Sequence, residues 1–280
     1  MECLTPVLCY AASRQPSLQT IFIIVFLMLI ALGDLQKRIN RHRVRVRKAY
    51  DVMKLKDLTP LDVCEVATLV NRLNERFKPV EPQKCRLNHY AEYPPYNLDL
   101  VNSCIADIAD YLGLTGLTFV AEFQEMDMDT AGRINMVERN GCVTVQLAPR
   151  LLDRGVALVG ALCHEVMHKF LEKVDLTDPI AAVNEKMTDV SCVFFGMGQL
   201  LMSGCIWYEE HDEGGNSYFR TVCRTARRLG YLLPSQLALA YDLCVQRLGR
   251  KLNDSPNELK GMALAIFERY REEMAKIAQS

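Results

Sequence analysis

The chain lacks several features, and each absence excludes a class of protein. Neither sign of charge dominates: 33 Lys and Arg face 34 Asp and Glu, for a formal net charge of −1, which argues against nucleic acid as the main partner. None of the 11 cysteines forms a C-x-x-C pair, so the zinc-knuckle and dithiol redox motifs are absent. Their odd number and scatter read as buried thiols in a reducing compartment. No repeat or low-complexity segment occurs. The longest apolar run has 13 residues, Ile21 to Gly33, which excludes a polytopic membrane protein. What remains is a chain of 280 residues, 50% hydrophobic and 24% charged, long enough for one large domain or two small ones.

The apolar run is too short to decide its own role. Extended back to Leu18, it reaches about 24 Å as a helix, against a hydrocarbon core of ~30 Å, which also fits a signal-peptide core or a buried helix. Its flanks discriminate. Lys37, Arg38, Arg41, Arg43, Arg45, Arg47 and Lys48 follow the run, whereas Arg14 is the only basic residue before it. That order is reversed for a secretory signal, and the positive-inside rule keeps residues 34–280 in the cytoplasm. The expectation is a single-pass membrane anchor and basic segment over 1–50, a helical cap and linker over 51–95, and a cytoplasmic domain over 96–280. The basic block reads either as a solvated flank or as a segment that meets anionic headgroups.

Thr59-Pro60 ahead of LDVCEVATLVNRLNERF supplies an N-cap, Pro at the first helical position and apolar residues at helical spacing, so a helix should run to about Phe77. Proline-rich residues 78–97 read as loop. Leu98 to Leu112 returns to helical period, and Leu117 to Phe123 reads as a strand. Ile134 to Glu138 and Cys142 to Leu147 flank Asn140-Gly141, the two positive-φ positions of a type I′ hairpin turn. From Pro149 onward the pattern predicts helices alone, over about 151–173, 179–202, 217–229, 235–250 and 256–276. Strands followed by helices predict an α+β fold.

Within the first of these C-terminal helices, VALVGALCHEVMHKFL contains H-E-x-x-H at His164, Glu165 and His168. Residues four apart stack on one helical face, so both imidazoles reach one metal ion while Glu165 stands beside it, placed to take a proton from water. Val156 to Cys163 is apolar on every side, so the helix is buried, and two histidines and a carboxylate there are costly unless paired or metal-bound. The metzincin extension would need Gly at 171 and His at 174; the chain has Leu171 and Val174, which excludes that class. Downstream, Glu185 and Asp189 share one face of the next helix. Asp175 and Asp178, in the connection, are alternative third ligands.

H-E-x-x-H followed by Asn184-Glu185-Lys186-Met187-Thr188-Asp189 resembles the gluzincin (thermolysin-like) zinc metallopeptidases, whose second helix reads N-E-x-x-[small]-D. The resemblance rests on residues 164–168 and 184–189, and the order of strand, edge hairpin and helix extends the likeness over 117–202. It implies a zincin-like catalytic domain in which His164, His168 and Glu185 ligate Zn2+ and Glu165 is the general base. Asp189, with Asn184 beside Glu185, would support the ligands from behind. It also implies an edge strand that binds substrate backbone by strand addition, for which Cys142 to Leu147, with Val143 and Val145, is the candidate. No oxyanion-stabilising motif aligns; Tyr208, His211 and Tyr218, around the mobile-looking Gly214-Gly215, are the candidates. The expected activity is cleavage of a peptide or protein substrate at the membrane. The alternative is a zinc-binding scaffold or sensor with little turnover.

Overall fold

A computed structural model describes residues 58–81, 86–92, 96–127, 130–212, 222–250 and 259–277, apart from the side chains of residue 86 and of 207–227. The chain divides into two units, Met1–Ala49 and Tyr50–Ser280, and all described residues belong to the second. The fold is α+β: among the described residues there are seven α-helices, a three-stranded mixed sheet and a two-stranded hairpin. No described helix is long and apolar enough to cross a membrane, and the apolar run at 18–33 lies outside the described residues.

Helix α1 (Pro60–Asn74) starts as expected. Thr59 caps the N–H of Asp62, the Asp62 carboxylate accepts from the Thr59 N–H, and Pro60 opens the first turn. Its buried residues Val66, Leu69, Val70 and Leu73 follow helical spacing, each contributing roughly 1.5–3 kcal/mol on burial. They join one core with the rest of the unit, so α1 is built into the domain that follows. A short 3₁₀ turn, Arg86–Glu92, precedes α2 (Leu98–Tyr111), which is capped by the Asn97 side chain.

Strands β1 (Thr118–Phe123), β2 (Gly132–Ile134) and β3 (Cys142–Leu147) form the sheet in the order β1-β3-β2. The β2–β3 connection turns through Asn140 and Gly141, both at positive φ, as the sequence implied, but the strand ahead of it is Gly132–Ile134 and not the expected Ile134 to Glu138; after Ile134 a single bridge at Arg139 remains. The parallel pairing of β1 with β3 was not legible. It makes β3 the middle strand, bonded on both sides, and that leaves β2 as an outer edge.

Helix α3 (Gly155–Lys173) is the centre of the domain, buried continuously from Ala157 to Leu171. A helix apolar all round is stable only when enclosed, and α2, α4, α5 and the sheet enclose it. The helix expected over 179–202 is two: α4 (Ala181–Cys192) and α5 (Gly198–Gly204), parted by a π-type turn at Val193–Met197 in which Gly196 has φ 84°. The helix expected over 217–229 is a strand. β4 (Ile206–Asp212) pairs antiparallel with β5 (Val222–Arg228); the spaced arginines imitate a helical period, but the ladder supplies the backbone partners. Two helices complete the unit, α6 (Pro234–Arg247) and α7 (Gly261–Ile277), which pack together through Tyr241, Phe267 and Tyr270.

Candidate metal centre

α3 presents His164 and His168 one turn apart, and α4 presents Glu185 and Asp189 in the same way. The link between the helices is pinned by Arg72, which pairs with Asp178 at 3.0 Å, and by the Asp178 N–H, which donates to the Asn184 side chain at 3.0 Å. Asn184 therefore shapes the connection instead of touching the histidines. Asp178 is engaged with Arg72 and the Ile180 N–H. Of the carboxylates considered as third ligand, only Glu185 joins the cluster.

His164 Nε2, His168 Nε2 and Glu185 Oε2 form a nearly equilateral triangle with sides of 3.0, 3.1 and 3.1 Å. The groups behind them fix the protons. Asp189 Oδ1 lies 2.8 Å from His164 Nδ1, and a carboxylate can only accept, so that nitrogen carries hydrogen. The Thr188 hydroxyl donates to the Asn184 carbonyl at 2.9 Å, which leaves its lone pairs to the His168 Nδ1–H at 3.1 Å. Both Nε2 atoms then offer lone pairs towards a carboxylate oxygen. Three acceptors at this spacing repel one another unless a cation lies among them. Tetrahedral zinc, with ligand bonds of ~2.0–2.1 Å, spaces its ligand atoms about 3.3 Å apart, so the donor set and its spacing fit such an ion. Without metal, a proton is the available cation. Burial pulls His164 down, but Asp189 and Glu185 outweigh it and hold the imidazole well above its usual value. Glu185 is opposed by its own burial, yet the two histidines hold it at about 2.

Glu165 is buried on the neighbouring face. Burial raises its carboxyl, Glu185 adds to the rise, and the histidines and the Ile134 N–H oppose it. The strand beside it is β2. Asn135 N–H donates to Thr144 and Ala148 N–H donates to the Ala131 carbonyl. Residues 131, 133 and 135 therefore carry the ladder, while Gly132 and Ile134 direct their backbone groups to the open edge. A Cβ at Gly132 would lie 3.1 Å from both Cγ and Oε1 of Glu165, so any larger residue there would press on the carboxylate. The expected substrate strand needs correcting: Val143 and Val145 are fully buried on the middle strand, and the edge beside Glu165 belongs to Gly132–Ile134.

Asp189 does more than hold His164. Its Oδ2 accepts the N–H groups of Tyr231 and Leu232 at 2.7 and 2.8 Å, and Gly230, at φ 82°, approaches so closely that a Cβ would lie 2.9 Å from that oxygen. One buried carboxylate thus fixes both His164 and the turn after β5. That turn stacks Tyr231 on His164 at 6.1 Å between centroids and 19° between planes. Burial and the nearby Glu185, Glu165 and Asp189 raise the Tyr231 phenol, so it stays an O–H donor at neutral pH. Sequence reasoning missed Tyr231 and Thr188. Gly230 two residues after Arg228, ahead of the helix-opening Pro234, was the available signal of a tight turn. Of the tyrosines and histidine considered instead, Tyr208 and His211 sit on β4 with undescribed side chains, and Tyr218 lies outside the described residues.

The cleft formed here has a volume of about 910 Å³ and includes Gly132, Arg133, Ile134, His164, Glu165, His168, Glu185, Arg228 and Tyr231 in its lining. No protein-family model, curated protein or solved structure matches the chain.

Proposed function

We propose that this chain is a zinc-dependent metallopeptidase of the gluzincin kind, anchored to a membrane through residues 18–33. The observation that carries the reading is the triangle of His164, His168 and Glu185, with Glu165 beside it on one side and the open edge of β2 beyond. When bound by such a donor set, zinc supplies Lewis acidity to a carbonyl oxygen and to water. The chain's own residues do the rest. The backbone groups of Gly132 and the carbonyl of Ile134, whose N–H is held by Glu165, bind an extended peptide by strand addition. Glu165 takes a proton from the attacking water and delivers it to the leaving amine nitrogen as the C–N bond breaks. Asp189 and Thr188 keep each imidazole in the Nδ1–H form, and Tyr231 offers an O–H to the oxygen on which charge develops.

The test is peptide-library hydrolysis by the full chain and by Glu165→Gln, with metal content measured in both. The reading expects cleavage by the parent, loss of roughly 10²–10⁴-fold in the variant, and equal metal. A parent that retains zinc but cleaves no peptide would assign the site to a scaffold.

A further inference from the structure

Most described arginines and lysines around the cleft are engaged. Arg72 pairs with Asp178, Lys186 with Glu65, and Lys169 with Glu138 and Glu172, while Arg150 donates to the carbonyls of Met126, Asp127 and Thr130. Arg133, on β2, and Arg228, at the end of β5, are exceptions. Both line the cleft, both are exposed, and neither has an ion-pair partner among the described residues. Among the described residues, the carboxylates in the lining are Glu165 and Glu185. Both face the histidines, and together they match the charge of one divalent ion. Among the described residues, no further carboxylate in the lining compensates the two guanidiniums.

Their positions give the excess a direction. Arg133 belongs to the strand whose open edge faces Glu165. Arg228 immediately precedes the turn that Asp189 ties down and that carries Tyr231, so its backbone is fixed relative to His164. A guanidinium on a fixed backbone, planar and permanently charged, is suited to a carboxylate held in two-point contact.

We propose that the cleft selects peptides carrying a carboxylate near the bond to be cut, met by Arg228 with Arg133 reinforcing the field. This rests on the metallopeptidase reading. The shared chemistry is the carboxylate; an acidic side chain and a free chain terminus are its two sources.

The experiment uses the zinc-loaded full chain and N-terminally dansylated heptapeptides. The peptides differ only in Glu or Gln at one position at a time, and in a free or amidated C-terminus. Hydrolysis is read as kcat/KM, and binding by fluorescence anisotropy to Glu165→Gln. The anionic member of a pair should be favoured by about fivefold, the scale of an exposed charge pair, and the preference should weaken at high salt. It should fall several-fold in Arg228→Gln, and to a lesser extent in Arg133→Gln. A preference set by the internal Glu identifies a side-chain carboxylate; one set by the free C-terminus identifies the chain end. Equal binding and turnover of charged and neutral members, or a preference unchanged in both arginine variants, overturns the inference. The two readings fail separately. Charge-selective binding without hydrolysis sinks the peptidase and leaves the carboxylate site, whereas hydrolysis without charge preference does the reverse.

Discussion

Asp189→Asn separates the two tasks of the residue that ties the centre together. The parent carboxylate accepts three hydrogen bonds, one from the His164 Nδ1–H and two from the backbone N–H groups of Tyr231 and Leu232, and it is 2% exposed. The asparagine can orient in two ways. Turning its NH2 towards the turn leaves two buried N–H groups facing a donor, at about 1–3 kcal/mol each. Keeping its oxygen on the turn retains both bonds as neutral ones, a loss of roughly 1 kcal/mol each. The second orientation therefore wins, and the NH2 then faces His164 Nδ1. The imidazole must answer with a lone pair, which moves its hydrogen to Nε2 and removes that nitrogen from the donor set. The expected outcome is a folded chain destabilised by about 2 kcal/mol in urea, with zinc affinity lower by about 10–100-fold in a chelator-competition titration. A folded variant that binds zinc within twofold of the parent would refute the tautomer argument.

Gly132→Ala places a methyl group 3.1 Å from the Glu165 carboxylate; the reading expects unchanged zinc content and kcat lowered by about tenfold or more, and an unchanged kcat contradicts it. Asp242 lies away from the His164, His168 and Glu185 cluster, buried between α6 and α7, where burial raises its carboxyl and Tyr270 donates to Oδ2 at 2.8 Å. A folded-state value above the unfolded one means that stability is greatest below the unfolded value and is lost as pH rises through the folded one. Asp242→Asn keeps an acceptor for Tyr270, so it should exceed the parent in urea midpoint at pH 7, with the difference closing as pH falls through the carboxylate range. A difference constant with pH contradicts that assignment. If residues 18–33 anchor the chain, Val25→Asp with Leu29→Asp should release it from membranes at alkaline pH while the parent stays bound; two forms that fractionate alike count against the anchor.

The sequence was most informative where one helix carries the spacing. His164 with His168 and Glu185 with Asp189 are each separated by four residues, so helix geometry alone places each pair on one face. The Thr59 cap and the Asn140-Gly141 turn were legible for the same reason, since their determinants are local. Strand neighbours are not local. Nothing in CVTVQL says that TFVAEF lies along its far side, so the apparent edge strand was in fact the middle one. β5 was misread because Arg224, Arg227 and Arg228 sit at intervals that also suit a helix, although the cross-strand pairing with β4 decides. Tyr231 was hidden because its place depends on a buried carboxylate from α4 that fixes its backbone. The break at Gly196 was hidden because apolar residues continue through it on both sides.

The most direct test of the metal centre is elemental analysis of the purified full chain beside His168→Ala and Glu185→Ala. About one zinc per chain, lost in both variants that remain folded, is the predicted result. A folded parent that takes up no divalent metal from a zinc-containing buffer would contradict the centre and the peptidase built on it.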